Sequence, residues 1–410
     1  MAVKKAHTAV ITDPQRIQEV LLRGVVEIIS ADNLKKKLES GKRLRIKLGI
    51  DPTGSNLHIG HANNLLKLRD FQQLGHIPVL IIGDATGVIG DTSDKESERP
   101  MLSQKEVKAN EKTYLKQIGK IIDLSRAEVH HNSKWLNTLS FAEIGEQADQ
   151  FSISDFIARD IIKRRLVAGR RVSLRETLYP LMQGYDSVAI KADVELGGTD
   201  QRFNMLSGRV LQQHYKQEPQ DIMIMELLPG TDGRKMSKSL GNTINIFDTP
   251  NTMYANTMRV HDDLMMKYFE ICTRVPGEDV ACLQKEFVSR PRELKMRLAR
   301  EIVTMYHSPD AAQKAEEEFV KVFSNRELPT TIPEASVGDS TSLEDVLVQE
   351  GVVPSKSEIR RLVEGGGLRD AETGEKIQEV KMPIAKSVIL RIGKKKFLKI
   401  TVKRVLKKKE

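Results

Sequence analysis

The chain has 410 residues, 39% of them apolar, 30% charged and 5% aromatic, with a net charge of +9. That is enough for two or three domains with sizeable cores, and it excludes a prion-like tract, an aromatic membrane belt and, with only Cys272 and Cys282, a disulfide framework or a cysteine zinc site; both thiols are expected reduced and packed. The start, MAVKKAHTAVITDPQ, lacks the apolar core of a signal peptide, so the expectation is a cytoplasmic protein with no membrane partner.

The first clear element is RLRIKLGI, 43–50, where Leu44, Ile46, Leu48 and Ile50 alternate as in a strand with one apolar face. Asp51, Pro52, Thr53 and Gly54 then fit a type I turn. HIGHANNLLKLRDFQQLG follows with Ile59, Ala62, Leu65, Leu66 and Leu74 at helical spacing, and IPVLIIGD is apolar enough for a strand buried on both faces. Together they form a βαβ unit. In such sheets ligands bind beyond the carboxyl ends of strands, beside helix N-termini that attract phosphate. His58 and His61 sit at that place. Two imidazoles three apart could ligate a metal, but no third ligand at tight spacing accompanies them and none is expected. Neutral rings there suit hydrogen bonding to phosphate oxygens; satisfied surface histidines are the plain alternative.

SDKESERP, 93–100, is a polar loop, and the helix-rich stretch from Ser103 through Asp155 carries apolar positions that could serve a core or an interface. In YPLMQGYD, Tyr179, Gln183 and Asp186 fall at i, i+4 and i+7, one helical face, so they can converge on one small ligand. GGTDQ, 197–201, is a glycine turn that allows close backbone approach, followed by a carboxylate able to accept both hydroxyls of a ribose. GTDGRKMSKSLGN, 230–242, places Lys235 and Lys238 in a glycine-marked loop able to close over a triphosphate; taken alone, such a loop is more often simply solvated.

HIGH at 58–61 and KMSKS at 235–239, intact and in that order, resemble the two signatures of class I aminoacyl-tRNA synthetases. Residues 176–204 resemble the amino-acid-binding helix and following strand of the tyrosyl-tRNA synthetases, bacterial type. The resemblance implies a Rossmann-like α/β catalytic domain with a parallel sheet and a dimer-interface insertion over 1–245, with the interface largely within Ser103–Asp155, and a homodimer. It implies ATP with Mg²⁺ as cofactors, L-tyrosine and tRNA-Tyr as partners, and adenylate formation followed by transfer to tRNA. Thr53, His58 and His61 would hold ATP phosphates, with Asp51 and Gly60 beside them. Lys235, Met236, Ser237 and Lys238 would contact the nucleotide, the lysines on the pyrophosphate side. Asp200 and Gly198 would take the ribose, and Gln201 would lie near the reacting carboxylate. Asp91, Tyr179 and Gln183 would bind the α-amino group and Asp186 the phenol. Lys95 and Arg99 would lie near pyrophosphate or the tRNA end. One branch of the family has a tyrosine where this chain has Lys47, and WGN where it has RFN at 202–204; Lys47 is expected beside Asp186, keeping it ionised. The rival readings are a tryptophanyl-tRNA synthetase, which gives no reason for Asp186, a nucleotidyltransferase, which would lack KMSKS, and a synthetase-derived RNA-binding protein without catalysis.

Beyond Asp248 the pattern is helical, and the family implies an α-helical anticodon-side domain over 246–327. LPTTIPEASVGDSTS, 328–342, reads as a linker. Residues 343–410 resemble a small α+β S-four-like RNA-binding domain, with Ser355 and Glu358 as a capping box before Arg360 and Arg361; these arginines and Lys356 would face phosphates. The usual Asn-Gly close of that motif is replaced by Gly367-Leu-Arg-Asp370, which puts its hairpin edge in doubt. Residues 381–410 carry 12 Lys or Arg against one acid, more than the whole chain's excess, so a nearly neutral body bears a basic terminus suited to a phosphate backbone.

Overall fold

The computed structural model describes residues 9–52, 56–90, 103–286, 289–324, 328, 332–338, 341–381, 383–384, 386–393 and 396–403. Thr53, Asp91, Lys95 and Arg99 lie outside them, as does the side chain of Lys238. The chain divides into two units, Met1–Gln313 and Lys314–Glu410.

The first unit is built on a six-stranded sheet: β1 (Val25–Ile29), β2 (Arg45–Ile50), β3 (Ile77–Ile82), β4 (Glu128–His131), β5 (Val194–Gly198) and β6 (Asp221–Met225), in the order β1-β6-β5-β2-β3-β4. Only β1 runs antiparallel to its neighbour. The sequence moves outward from β2 through β3 to β4, then returns to place β5 on the other side, so the order reverses between β2 and β5. That switch point opens a crevice at the strands' carboxyl ends.

The HIGH segment starts the helix Ile59–Gln73, which buries Ile59, Ala62, Leu65 and Leu66, the spacing read from sequence. β2 departs from its reading as a strand with one apolar face: Leu44, Ile46 and Leu48 are buried, but so is Lys47 on the opposite face, beneath the helix Arg175–Ile190. That helix packs on Arg202–His214 so closely that a Cβ on Gly184 would lie 3.0 Å from the Ser207 carbonyl carbon, and one on Gly208 would lie 2.7 Å from Gln220 Nε2 and 2.9 Å from Ser187 Oγ. Arg165 and Glu176, both buried, pair at 2.5 Å and tie the first turn of Arg175–Ile190 to the preceding helix, Asp160–Val167. On the helix Ile59–Gln73, Lys67 is buried with its ammonium 2.5 Å from the Val20 carbonyl, and burial drives its pKa down to about 7.

Of the stretch 103–155 expected as interface, Val107, Tyr114, Ile118, Ile121 and Ile122 are core. Within that stretch the exposed large apolar side chains are Phe141 and Ile153, and the series continues past it with Ile157, Val167, Leu174 and Leu178.

The helices after Asp248 do not stand apart as a domain from 246. Thr249 caps Pro250–Thr257 with Pro250 in the first turn, and Met265–Cys272 and Pro291–Tyr306 pack within the same unit as the sheet. Arg274 forks onto Asp70 with two contacts of 2.9 Å, and Arg23 donates to the carbonyls of Glu270 and Val275. Spacing shows helices but not the long-range ion pairs that fuse them to a neighbour. Cys272 is buried, as expected of a packing residue, whereas Cys282 is exposed.

The second unit has a four-stranded sheet, β7 (Glu334–Gly338), β8 (Leu368–Asp370), β9 (Val388–Ile392) and β10 (Lys396–Lys403), in the order β7-β10-β9-β8. β7 lies inside the segment expected as a linker. It pairs in parallel with β10 and buries Ala335, and its small residues leave no apolar alternation for a sequence reading to catch. The helices Leu343–Gln349 and Lys356–Glu364 close a core that includes Leu347, Ile359, Leu390 and Ile400. Ser355 caps the latter helix by accepting from the Glu358 N–H. The doubtful edge forms: β8 pairs with β9, and Asp370 Oδ1 accepts from the Glu372 and Thr373 N–H groups, holding the turn where Asn-Gly was expected. Among the described residues no helix is long and apolar enough to cross a membrane.

Candidate active site

A cavity of about 240 Å³ opens at the carboxyl ends of the parallel strands. It is lined by Asp51 after β2, Gly83 and Thr86 after β3, Asn132 after β4, Asp200 and Gln201 after β5, by His61, and by Tyr179, Gln183 and Asp186 from Arg175–Ile190. Residues as far apart in sequence as His61 and Gln201 thus share one space.

At one end lies the pair of signatures. His58 forms an antiparallel bridge with Asn245, flanked by Ile59 N–H to Ile244 O at 2.9 Å and Ile246 N–H to Leu57 O at 3.0 Å. This backbone pairing holds HIGH against the segment that follows KMSKS. The two imidazoles stack with centroids 3.8 Å apart, and the His58 N–H donates to His61 Nδ1 at 3.3 Å. An accepting Nδ1 leaves the proton of a neutral ring on Nε2. Gly60 keeps this packing close, since a Cβ would lie 3.0 Å from His58 Nδ1 and 3.1 Å from Met236 Sδ. Met236 is buried, so the KMSKS loop reaches the HIGH turn.

That loop is shaped by Asn242. Its Oδ1 accepts from Ser237 N–H at 2.8 Å, and its amide donates to Asp232 Oδ1 at 2.8 Å and to Lys235 O at 3.1 Å. Asn242 and Arg234 together hold the Asp232 carboxyl well below the usual carboxylate range. Gly233 and Gly241, with φ of +82° and +63°, supply the left-handed turns on either side. Lys235 is exposed.

At the base of the cavity Asp51 accepts from Tyr179 OH at 2.9 Å and Thr86 Oγ1 at 2.7 Å. Gly83 makes room for this carboxylate, since a Cβ there would fall 1.9 Å from Asp51 Oδ1. Past the glycine turn, the Gln201 side chain accepts from the Gly198 N–H at 3.4 Å and Asp200 stays at the rim.

At the far end Asp186 is buried, accepting from Trp135 Nε1 at 2.7 Å and from Asn132 Nδ2 at 3.3 Å. Burial raises its pKa to about 7 against the lowering effect of Lys47 and of both hydrogen bonds. Lys47, expected beside Asp186 and keeping it ionised, does lower the Asp186 pKa, but its ion-pair partner is a different carboxylate. Lys47 and Glu195 are register partners on β2 and β5, and the ammonium pairs with Glu195 Oε1 at 2.9 Å, both side chains buried. Lys47 also donates to Gln183 O and Ser187 Oγ, each at 2.7 Å. It attracts the Asp186 charge without touching it, because strand pairing places its partner on β5.

Trp135, Asn132, Thr86, Gly83 and Glu195 were missed in the sequence. Two signals were present: Trp135 is the one tryptophan of the chain, and Lys47 and Glu195 are charges flanked on both sides by apolar residues of their strands. In the second unit Arg360 and Arg361 are exposed as expected, but the Lys356 ammonium is taken by Asp345 at 2.6 Å and Glu344 at 3.2 Å, which raise its pKa and leave it poorly disposed to contact a phosphate.

Residues 8–324 match the family model of class I tRNA synthetases (W and Y). A tyrosine–tRNA ligase of Moorella thermoacetica is 46% identical over 392 residues, covering 93% of this chain and 94% of the relative, and one of Carboxydothermus hydrogenoformans is 45% identical over 401 residues, covering 94% and 98%. Among solved structures, a C-terminally truncated mitochondrial tyrosyl-tRNA synthetase of Coccidioides posadasii superposes with a TM-score of 0.60 at 25% identity, covering 74% of this chain and 91% of that one. The synthetase of Archaeoglobus fulgidus shares the fold at a TM-score of 0.59 and 19% identity, covering 74% and 99%.

Proposed function

The chain belongs to the tyrosyl-tRNA synthetases of class I, and on that premise we propose how its residues activate tyrosine with ATP and pass the tyrosyl group to tRNA-Tyr. The observation that carries the assignment is the single cavity running from His61 to Asp186, long enough in chemistry for a phosphate at one end and a phenol at the other.

The phenol donates to ionised Asp186, which Trp135 and Asn132 hold in place. The ammonium lies among Tyr179, Gln183 and Asp91, and Gln201 sits by the carboxylate. Asp200 and the backbone at Gly198 take the ribose. One tyrosine carboxylate oxygen attacks the α-phosphorus in line, the bond to the α–β bridging oxygen breaks, and pyrophosphate leaves with that electron pair. Thr53, His58 and His61 donate to phosphate oxygens, supported by the His61 tautomer, and Lys235 and Lys238 neutralise the departing pyrophosphate from the KMSKS loop. Asp51, held by Tyr179 and Thr86, acts by fixing the floor of the site. Mg²⁺ arrives with the triphosphate; among the described residues no group of three or more His, Cys, Asp or Glu forms a site for it. No covalent enzyme intermediate is involved. The tryptophan reading is disfavoured by the relatives, tyrosine–tRNA ligases at 45–46% identity over most of the chain.

The enzyme acts as a homodimer, a reading supported by the exposed side chains of Phe141 (92%), Ile153 (68%), Val167 (82%) and Leu174 (74%), and its proposed compartment is the cytoplasm. The second unit binds tRNA through Arg360, Arg361 and the basic strands β9 and β10, as an S-four-like domain would; Lys95 and Arg99 assist near the tRNA end. ATP–pyrophosphate exchange with each of the twenty amino acids tests the assignment. Exchange with tyrosine alone, lost in Asp186→Ala, is the expected result, and exchange with tryptophan would overturn it.

A further inference from the structure

We propose that Glu195 is a positioning residue that fixes which end of the Gln183 amide faces the ligand, and so makes the pocket select for an ammonium. The inference rests on the assignment of Gln183 to the substrate α-amino group. An amide in a pocket wall can present either its oxygen, which attracts a cation, or its NH₂, which does not. Something must choose, and the two orientations have nearly the same shape.

The choice follows from an unbroken polarity chain. Lys47 spends its three protons on Glu195 Oε1, Gln183 O and Ser187 Oγ. Glu195, an acceptor only, takes Lys47 and Gln183 Nε2 (3.0 Å) on Oε1, and Ser187 Oγ (3.2 Å) and Gln220 Nε2 on Oε2. An ionised carboxylate cannot accept from an amide oxygen, so the Gln183 NH₂ must point at Glu195. Its Oε1 then points the other way, where Asn204 Nδ2 donates at 3.1 Å and where Gln183 lines the cavity. Lys47 is the counter-charge that lets a carboxylate reside at a position 1% exposed. Glu195 thus acts at the opposite end of the ligand from the phenol, whereas its partner Lys47 also attracts the Asp186 charge.

The test compares L-tyrosine with 3-(4-hydroxyphenyl)propanoate, which lacks only the ammonium, as ligands of the full-length enzyme, measured by KM for one and Ki for the other in ATP–pyrophosphate exchange. Glu195→Gln frees both amides to rotate. The expected result is a loss of tyrosine affinity of roughly ten- to a hundredfold, the range for a hydrogen bond to a charged group, with the propanoate unchanged. Lys47→Met/Glu195→Gln removes both charges, leaves no unpaired ion to unfold the protein, and is expected to lose the same discrimination. Unchanged tyrosine affinity in the double variant, or an equal loss for both ligands, would overturn the proposal. Gln183→Leu separates this from failure of the underlying assignment: if that variant still prefers tyrosine over the propanoate as the wild type does, Gln183 does not read the ammonium at all. If Gln183→Leu loses the preference and both Glu195 variants keep it, the assignment stands and the role of Glu195 falls.

Discussion

The indole N–H of Trp135 donates to Asp186 Oδ1 at 2.7 Å, joining the short helix Ser133–Leu136, which follows β4, to the helix Arg175–Ile190 at the closed end of the cavity. Trp135→Phe keeps the ring and removes the donor. Losing a hydrogen bond to a charged acceptor costs about 1.5–3 kcal/mol, so the KM for tyrosine is expected to rise at least tenfold in pyrophosphate exchange while the KM for ATP stays within about twofold. Equal changes in both would mean that the ring, not its N–H, matters.

The pH dependence of tyrosine binding follows from Asp186. Burial raises its pKa from an ordinary 3.8 to about 7 in the ligand-free protein. If the ionised form accepts the phenol, affinity rises with pH through about 7, and Asp186→Asn binds weakly with no such rise. For stability the sign is opposite: the folded state holds a proton that the unfolded state has lost between about pH 4 and 7, so this group's contribution falls across that window. Calorimetric titration with tyrosine from pH 6 to 8 checks the first statement.

Lys67 gives the complementary slope. Its pKa falls from 10.5 to about 7 on folding, so between those values the unfolded chain carries the extra proton and stability rises with pH, by up to about 1.4 kcal/mol per unit. In Lys67→Met, urea midpoints measured from pH 7 to 10 should lose that slope. A slope that persists would place it on another group.

Gly83→Ala drives a methyl group into the Asp51 carboxylate and the Thr86 hydroxyl, 1.9 and 2.3 Å away in the present packing. Overpacking of this kind costs about 1–3 kcal/mol. Because Asp51 also receives the Tyr179 hydroxyl, pyrophosphate exchange is expected to fall by more than stability alone explains, roughly a hundredfold, at a temperature where circular dichroism shows the variant folded.

Truncation after residue 324 removes the second sheet whole, whereas a cut at 336 would divide β7. The shortened enzyme is expected to retain tyrosine-dependent exchange and to charge tRNA at least about tenfold less efficiently at low micromolar tRNA, having lost the basic strands. Full charging by this truncation would remove the RNA-binding role from residues 325–410.

Much of this site was legible in the sequence because its parts are local: HIGH opens a helix, Tyr179, Gln183 and Asp186 share a helical face, and GGTDQ ends a strand. What could not be read depends on strand neighbours. Lys47 stands out as a charge in a strand, but its partner is decided by the β2–β5 pairing, which no local pattern encodes. The strand β7 escaped for the same reason, since its hydrogen bonds come from β10, far along the chain. The helices after Asp248 were visible as helices, while their attachment through Arg274 and Asp70 was not.

Gly184 and Gly208 are not among the cavity's lining residues, yet one carbon more at either would press on the facing helix, 3.0 Å from the Ser207 carbonyl carbon or 2.9 Å from Ser187 Oγ. The distance from Arg175–Ile190 to Arg202–His214 is therefore set by missing atoms, and with it the reach between Asp186, Gln183 and Asn204. The caliper that gauges the amino acid is closed from behind, so an altered substrate range is as open to a change at these two positions as to any change in the walls that the substrate touches.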